Sequence, residues 1–567
     1  MSWKIIEKHR RILAGEEGAA PKRRGGKLTV CLVYPNRYAV GMSNLGFQAV
    51  HALLNGEPDV LCERAFLPDA EELREYRKSG GPLLSLESQQ PLSSFDLVAF
   101  SVSFESDYLN IPAIFDLAGI PARSAERGAA HPLVMGGGAA LFLNPEPVAD
   151  FMDLICIGEG EPLLPLLLGL VRARGIADRR EFLTDAARLP GIYVPSLYEV
   201  VYDGVRLLSR RALGGAPERV RRLWMAEPDG RSTVSEILTP GTEFSDMYLI
   251  EVSRGCPRGC RFCAAGFIYL PYRQRSLETV KAAVAEGLKA RHKIGLVGAA
   301  VSDYREIGEL CRHILEQGGK VSVSSLRIDR LDAEMIEVLK ASGHKTVALA
   351  PEGGSQRMRD LINKNLTEEQ ILAACDLLIG HDILNLKLYF IIGLPTETMT
   401  DLEELVALVG KIRERVIAAA KKNKRLGEII LSVNPFVPKP FTPFQWCGME
   451  ETASLERKLK YLQQAVGKLS NVRLQAESPK DAWLQALLSR GDRRLSAFLL
   501  RAAELGSWKR AAREFDPSPD LLVHRDIPLD EPLPWGFIES VDEGRLVREY
   551  RRAFAEACSD GLSGYGD

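Results

Sequence analysis

Cys256, Cys260 and Cys263 fall within eight residues of the stretch Gly255-Cys256-Pro257-Arg258-Gly259-Cys260-Arg261-Phe262-Cys263, while the other seven of the ten cysteines stand singly. Three thiolates at this spacing can hold three corners of a cubane iron–sulfur cluster. No further cysteine or histidine follows until His292, so the fourth iron would keep an open coordination position, which suits catalysis better than electron storage. Two other chemistries compete. The i, i+4, i+7 spacing would also set three small apolar thiols on one helix face. Gly255, Pro257 and Gly259 disfavour that helix and favour a loop bent around a ligand. A structural zinc site normally closes four ligands in two pairs, and the second pair is missing.

The flanks say what must position the thiols. Residues 247–252 read as a strand, and 276–290 carry helical periodicity behind a Ser276-Leu277-Glu278-Thr279 cap. The thiols therefore belong to a loop at the carboxyl end of a strand, the face on which parallel α/β barrels build their sites. Apolar runs at 294–301, 320–326, 346–351, 384–392 and 428–434 alternate with helical segments and bring the strand count to six. Upstream, runs at 28–34, 60–66, 96–103, 132–135 and 153–157 alternate with helical stretches at 43–54, 108–118 and 161–171, the pattern of an α/β doubly wound parallel sheet. Its ligands would lie beyond the carboxyl ends, where Gly136-Gly137-Gly138 and Gly158-Glu159-Gly160-Glu161 sit. Neither a Gly-x-Gly-x-x-Gly fingerprint nor a phosphate loop with Gly-Lys-Ser is present.

The spacing Cys256-x-x-x-Cys260-x-Phe262-Cys263, with an aromatic before the third thiol, resembles the signature of the radical S-adenosylmethionine enzymes. The resemblance implies a [4Fe-4S] cluster whose open iron is chelated by S-adenosylmethionine, cleavage to a 5′-deoxyadenosyl radical, and hydrogen abstraction from a substrate. It also implies a partial (β/α)6 barrel and an electron donor such as ferredoxin or flavodoxin. Gly298-Ala299-Ala300 stands where the family often has Gly-Gly-Glu; the acid is absent, so the methionine amine falls to backbone, Ser302 or Asp303. Ser325 and Arg327 are suited to ribose hydroxyls and a carboxylate, or to a surface cap and a solvated arginine. The turns at 350–355 and 391–397 would let backbone, with Gly393, approach the nucleoside. Glu352 divides between a cofactor role and a helix cap, and Asn434, between Val433 and Pro435, would close the adenine side.

In the upstream sheet, Gly136, Gly137, Gly158 and Glu159, with Asn144-Pro145-Glu146-Pro147 and Asp153, resemble the cobalamin-binding domain that precedes the radical core in one subclass. The Asp-x-His-x-x-Gly sequence that supplies histidine to cobalt is absent, and His51 and His131 lack its setting. Cobalamin would then bind without a histidine ligand; the alternative is an emptied scaffold. Cys31, Cys62 and Cys156 raise a methylthiotransferase-like reading with a second cluster, but Cys31 and Cys156 lie inside apolar strands as inert thiols do. Asn36 to Gly46, Pro351 to Ser355 with Ile362 to Asn365, and Leu488 to Arg494 resemble an uncharacterised group of cobalamin-domain radical proteins. The reactions implied are radical chemistry on an unreactive carbon, with methyl transfer from cobalamin as the specific form. A non-catalytic iron–sulfur carrier or redox sensor is the alternative.

At 567 residues the chain accommodates two or three domains. The expected division is an extension at 1–27, the cobalamin-binding-like domain at 28–175, a connector at 176–240, the radical core at 241–450 and a helical domain at 451–567. A net charge of −2 argues against global attraction to nucleic acid or an anionic membrane. The substrate stays open between small molecule, peptide and RNA. No run of eighteen apolar residues and no signal peptide is evident, so a cytoplasmic protein with reduced thiols is expected and no membrane partner.

Overall fold

A computed structural model describes residues 2–18, 25–323 and 326–559; Ser325 lies outside them. The upstream sheet holds β1 (Leu28–Tyr34), β2 (Val60–Phe66), β3 (Leu97–Ser101), β4 (Leu133–Gly137), β5 (Leu154–Cys156) and β6 (Ile192–Tyr193), in the order β2-β1-β3-β4-β5-β6. All pairs are parallel except β5 with β6. Along β1, Val30, Leu32 and Tyr34 pack on one face of the sheet while Cys31 and Val33 pack on the other. A strand buried on both faces reads as an unbroken apolar run rather than an alternation, which is why β1 and β2 were legible to the residue. The order reverses between β1 and β3, and that reversal opens a crevice at the carboxyl edge. The segment expected as connector supplies β6 and so completes this sheet.

The second sheet system is also parallel. β7 (Met247–Glu251), β8 (Lys293–Val297) and β9 (Lys320–Val323) form one group. β10 (Thr346–Glu352), β11 (Asn385–Ile392), β12 (Ile429–Pro435) and β13 (Val472–Ala476) form the other. All six expected strands are present, and β13 is a seventh, in a stretch expected to be helical throughout. It is an edge strand of five residues, exposed or half-buried at every position, wedged between helices 452–466 and 479–490. So short a period-two signal between two helical patterns is easily overwritten.

Carboxyl-terminal helices close the molecule, and the Leu488 to Arg494 stretch fastens them to the first sheet. Asn144 Nδ2 donates to the carbonyls of Ser489 and Gly491 at 3.0 and 2.7 Å, and Arg493 donates to Tyr193 Oη at 2.6 Å. Buried Glu105 accepts from Lys439 Nζ at 2.7 Å and Ser489 Oγ at 2.8 Å. Among the described residues no helix is long and apolar enough to cross a membrane.

Candidate active site

The three cysteines leave the carboxyl end of β7 on a loop whose stems, Ser253–Arg254 and Arg273–Gln274, pair antiparallel. Gly255 turns the chain at φ +82°, and a Cβ there would lie 2.6 Å from the Tyr269 carbonyl, so only glycine fits. On its far side the loop is pinned to the turn after β10. The Arg261 backbone N–H donates to the Ile362 carbonyl at 3.0 Å, and its buried guanidinium donates to the Leu361 carbonyl at 2.9 Å. Asn363, at φ +53°, donates to the Gly259 carbonyl at 2.9 Å. Asparagine tolerates that left-handed conformation better than most residues.

All three thiols are half-buried and close enough to influence one another. Burial pushes Cys263 up to about 11, with the charge of Cys260 adding to the effect, and burial raises Cys256 as well. Ionising Cys256 and Cys263 therefore calls for a positive charge beside them. Among the described residues no group of three His, Cys, Asp or Glu side chains is placed to hold a single metal ion.

A cavity of about 660 Å³ opens between the two sheet systems. Leu32, Ala99, Met135 and Gly137 bring the carboxyl edge of the first sheet to it, and Leu249, Val297 and Gly298 bring the inner face of the barrel. It reaches Gly255, the residue before Cys256. Among the described residues no histidine lines it. His51 instead faces Asn55 Nδ2 at 3.0 Å and is driven down to about 3 by burial, while His131 accepts from the Gly128 N–H at 3.1 Å.

The residues singled out by sequence separate into groups. Gly137 lines the cavity, and a Cβ there would touch nothing closer than Cys156 Cβ at 3.6 Å, so the glycine leaves room for a ligand. Gly136 makes space for Leu141, 2.7 Å from its would-be Cβ. Gly158, at φ +130°, packs on the Leu223 carbonyl at 2.1 Å from a would-be Cβ. Glu159 lines the cavity, yet its carboxylate is filled by Arg254, Arg273 and the Met225 N–H. Gly298 lines the cavity and admits Ser253 Oγ at 2.8 Å.

Elsewhere in the barrel, Ser302 accepts from the Arg327 backbone N–H at 3.1 Å, and Arg327 donates to Asp329 at 2.8 Å. Asp303 is taken by Arg258, two residues past Cys256, at 3.0 Å. Glu352 ends β10 at φ +67°, 3.6 Å from Lys364 and raised by burial. Gly393, at φ +75°, packs on Leu455 and donates its N–H to Glu397 at 2.7 Å, so it serves the contact with the helix at 452–466. Asn434 stands half-buried opposite Ile391 on β11, and Phe262 packs against the small apolar cluster that includes Met358, Ile362 and Phe436.

Sequence reasoning missed the arginines. Arg254 and Arg273 flank the thiol motif, Arg273 buried and Arg254 half-buried, and a charge inside an otherwise β-prone stretch beside the motif was the available signal. It also missed the pair of Lys458 with Glu397 at 2.8 Å, where burial pushes Glu397 up to about 7.

A parallel barrel with three thiols on the loop after its first strand, joined to a doubly wound sheet across a shared cavity, defines a radical S-adenosylmethionine protein. The chain matches the family described as "Radical SAM proteins, N-terminal" over residues 46–195 and "Radical SAM superfamily" over residues 250–409. It is 31% identical over 479 residues to an uncharacterised protein of Methanocaldococcus jannaschii, covering 83% of this chain and 90% of that one. The chain belongs to the radical SAM superfamily and is an enzyme of it; such enzymes require a reductant and a substrate. An anaerobic magnesium-protoporphyrin IX monomethyl ester cyclase of Cereibacter sphaeroides is 26% identical over 287 residues, covering 48% of this chain and 43% of the cyclase, so the match spans under half of that relative. Among solved structures, the cobalamin-dependent S-adenosylmethionine radical enzyme OxsB with aqua-cobalamin bound is similar at TM-score 0.46 and 17% identity, covering 67% of this chain and 52% of that one.

Proposed function

We propose that Cys256, Cys260 and Cys263 hold the [4Fe-4S] cluster, that S-adenosylmethionine binds beside it over the carboxyl ends of β8 to β12, and that cobalamin occupies the crevice of the first sheet to deliver a methyl group to substrate. When bound, the cluster supplies the electron that cleaves S-adenosylmethionine and begins radical chemistry. The carrying observation is the shared cavity, walled by the cobalamin-domain-like edge on one side and the barrel on the other, one residue from the first thiol.

The chain's own groups have definable tasks in this reading. The half-buried thiols bind iron; Gly298 lets backbone approach the methionine end; Ser302 and Arg327 organise the strand end nearest the ribose. Glu352 and Asn434 face the nucleoside from β10 and β12, and Gly137 leaves space for a corrin. Apolar walls exclude water, which protects a carbon radical from quenching. The domain division is 28–175 for cobalamin with β6 added from the 176–240 connector, and a radical core beginning at 241 and extended past 450 to include β13. Ferredoxin or flavodoxin in the cytoplasm suits the reductant role.

Anoxic reconstitution of the full chain tests this. Four iron and four sulfide per chain are expected for such a cluster, with 5′-deoxyadenosine formed from S-adenosylmethionine under reduction and cobalamin retained through gel filtration. Iron uptake without 5′-deoxyadenosine would overturn the radical chemistry, and loss of cobalamin on the column would restrict the first sheet to a scaffold.

A further inference from the structure

The loop from 255 to 272 hangs from two supports. On the barrel side it is held by the turn at 360–363, through Arg261 and Asn363. On the other side both of its stems reach one carboxylate of the upstream domain. Arg273, on the returning stem, grips Glu159 with two parallel bonds of 2.7 and 3.0 Å. Arg254, on the outgoing stem and directly opposite Arg273 in the ribbon, donates to the same carboxylate at 2.8 Å. The Met225 N–H adds a fourth bond at 2.9 Å. Arg254 is itself oriented by Glu251 at 2.9 Å and Glu161 at 2.5 Å.

Glu159 is buried, and Glu159, Glu161 and Arg254 all line the main cavity. A bidentate guanidinium–carboxylate pair fixes direction as well as distance, and low dielectric strengthens it. Such a cluster adds little net stability over an apolar replacement. Its value lies in geometry: one side chain sets where both ends of the thiol loop stand relative to the cavity.

We infer that Glu159 is a positioning residue, through which the upstream domain sets the stance of the cysteine loop and hence of whatever the thiols hold. The consequence for turnover rests on the radical reading; the mechanical clamp does not. Glu159→Gln keeps the shape but turns an amide donor toward two guanidinium groups that need an acceptor. In the metal-free full chain, amides of 255–272 should exchange roughly tenfold faster in this variant, while those of 28–34 and 385–392 keep their rates. After reconstitution, the EPR line shape of the reduced cluster with S-adenosylmethionine should change. The kcat for 5′-deoxyadenosine formation should fall about tenfold, as for loss of a group that orients a metal ligand, with KM for S-adenosylmethionine within twofold. Glu159→Asp, which retains the charge, should recover part of both effects.

If Glu159→Gln does not accumulate as folded protein, Arg273→Lys decides the matter, since it keeps charge but loses the bidentate grip. Wild-type exchange in 255–272 together with a wild-type EPR line shape, in either variant, overturns the clamp. Should no form of the protein make 5′-deoxyadenosine, the radical reading fails and the exchange result alone still judges the clamp.

Discussion

The upstream sheet and the thiol loop each carry three cysteines and treat them in opposite ways. Cys31 is buried on one face of the sheet, and Cys62 and Cys156 on the other, so the strands keep them from converging. Burial pushes Cys156 up to about 12. The loop cysteines are half-buried, project from irregular backbone between two pinned ends, and feel one another's charge. A regular strand alternates its side chains to opposite faces, whereas a loop anchored at both ends can turn three to one side. A methylthiotransferase-like second cluster in the upstream sheet is thereby disfavoured, and the glycines follow the same division: Gly158 admits the protein's own backbone, while Gly137 leaves a surface open.

The contrast can be broken most forcefully at the loop. Cys260→Ala should lower 5′-deoxyadenosine formation by roughly a thousandfold or more, about 4 kcal/mol of lost barrier reduction, and should reduce bound iron, read by product chromatography and metal analysis. The next largest effect is expected at Gly158→Ala, where the new Cβ meets the Leu223 carbonyl at 2.1 Å with φ at +130°. A loss on the order of 3 kcal/mol should appear as a lower urea midpoint, and an unchanged midpoint would show that the backbone at Leu223 yields.

A smaller effect should come from Asp107→Asn at the reversal between β1 and β3. Burial pushes Asp107 up to about 6, the bond from Asn36 opposing and Glu105 adding. A carboxyl whose folded pKa is raised binds more protons folded than unfolded, so its penalty grows as pH climbs from about 4 to 6 and is complete above that. The variant should therefore gain about 2 kcal/mol relative to wild type at pH 7 and lose that advantage by pH 4, checked by denaturation midpoints at both. The smallest change is expected for Cys62→Ala, about 1 kcal/mol in stability with iron content and 5′-deoxyadenosine formation kept. Lost iron there would erase the distinction between the two sets of thiols.

Much of this was legible from residues alone. The three-thiol spacing, the strand before it and the alternation of apolar runs with helical segments are local signals, carried by neighbours in sequence, and each element of both sheets that was expected is present. β13 was hidden because an exposed edge strand shows almost no apolar period. The pairing of Glu159 was not legible for another reason: a glutamate in a glycine-rich turn looks the same whether or not it answers two arginines about a hundred residues away.

The amino-acid order by itself determined the chemistry that could occur, since iron is gripped by thiol type and spacing, and it determined the two parallel sheets, since periodicity follows from backbone geometry. Only the tertiary structure decided which glycines leave open space, which acids are already paired, and that the two carboxyl edges face one cavity. Those depend on long-range contacts, whose partners no local pattern names.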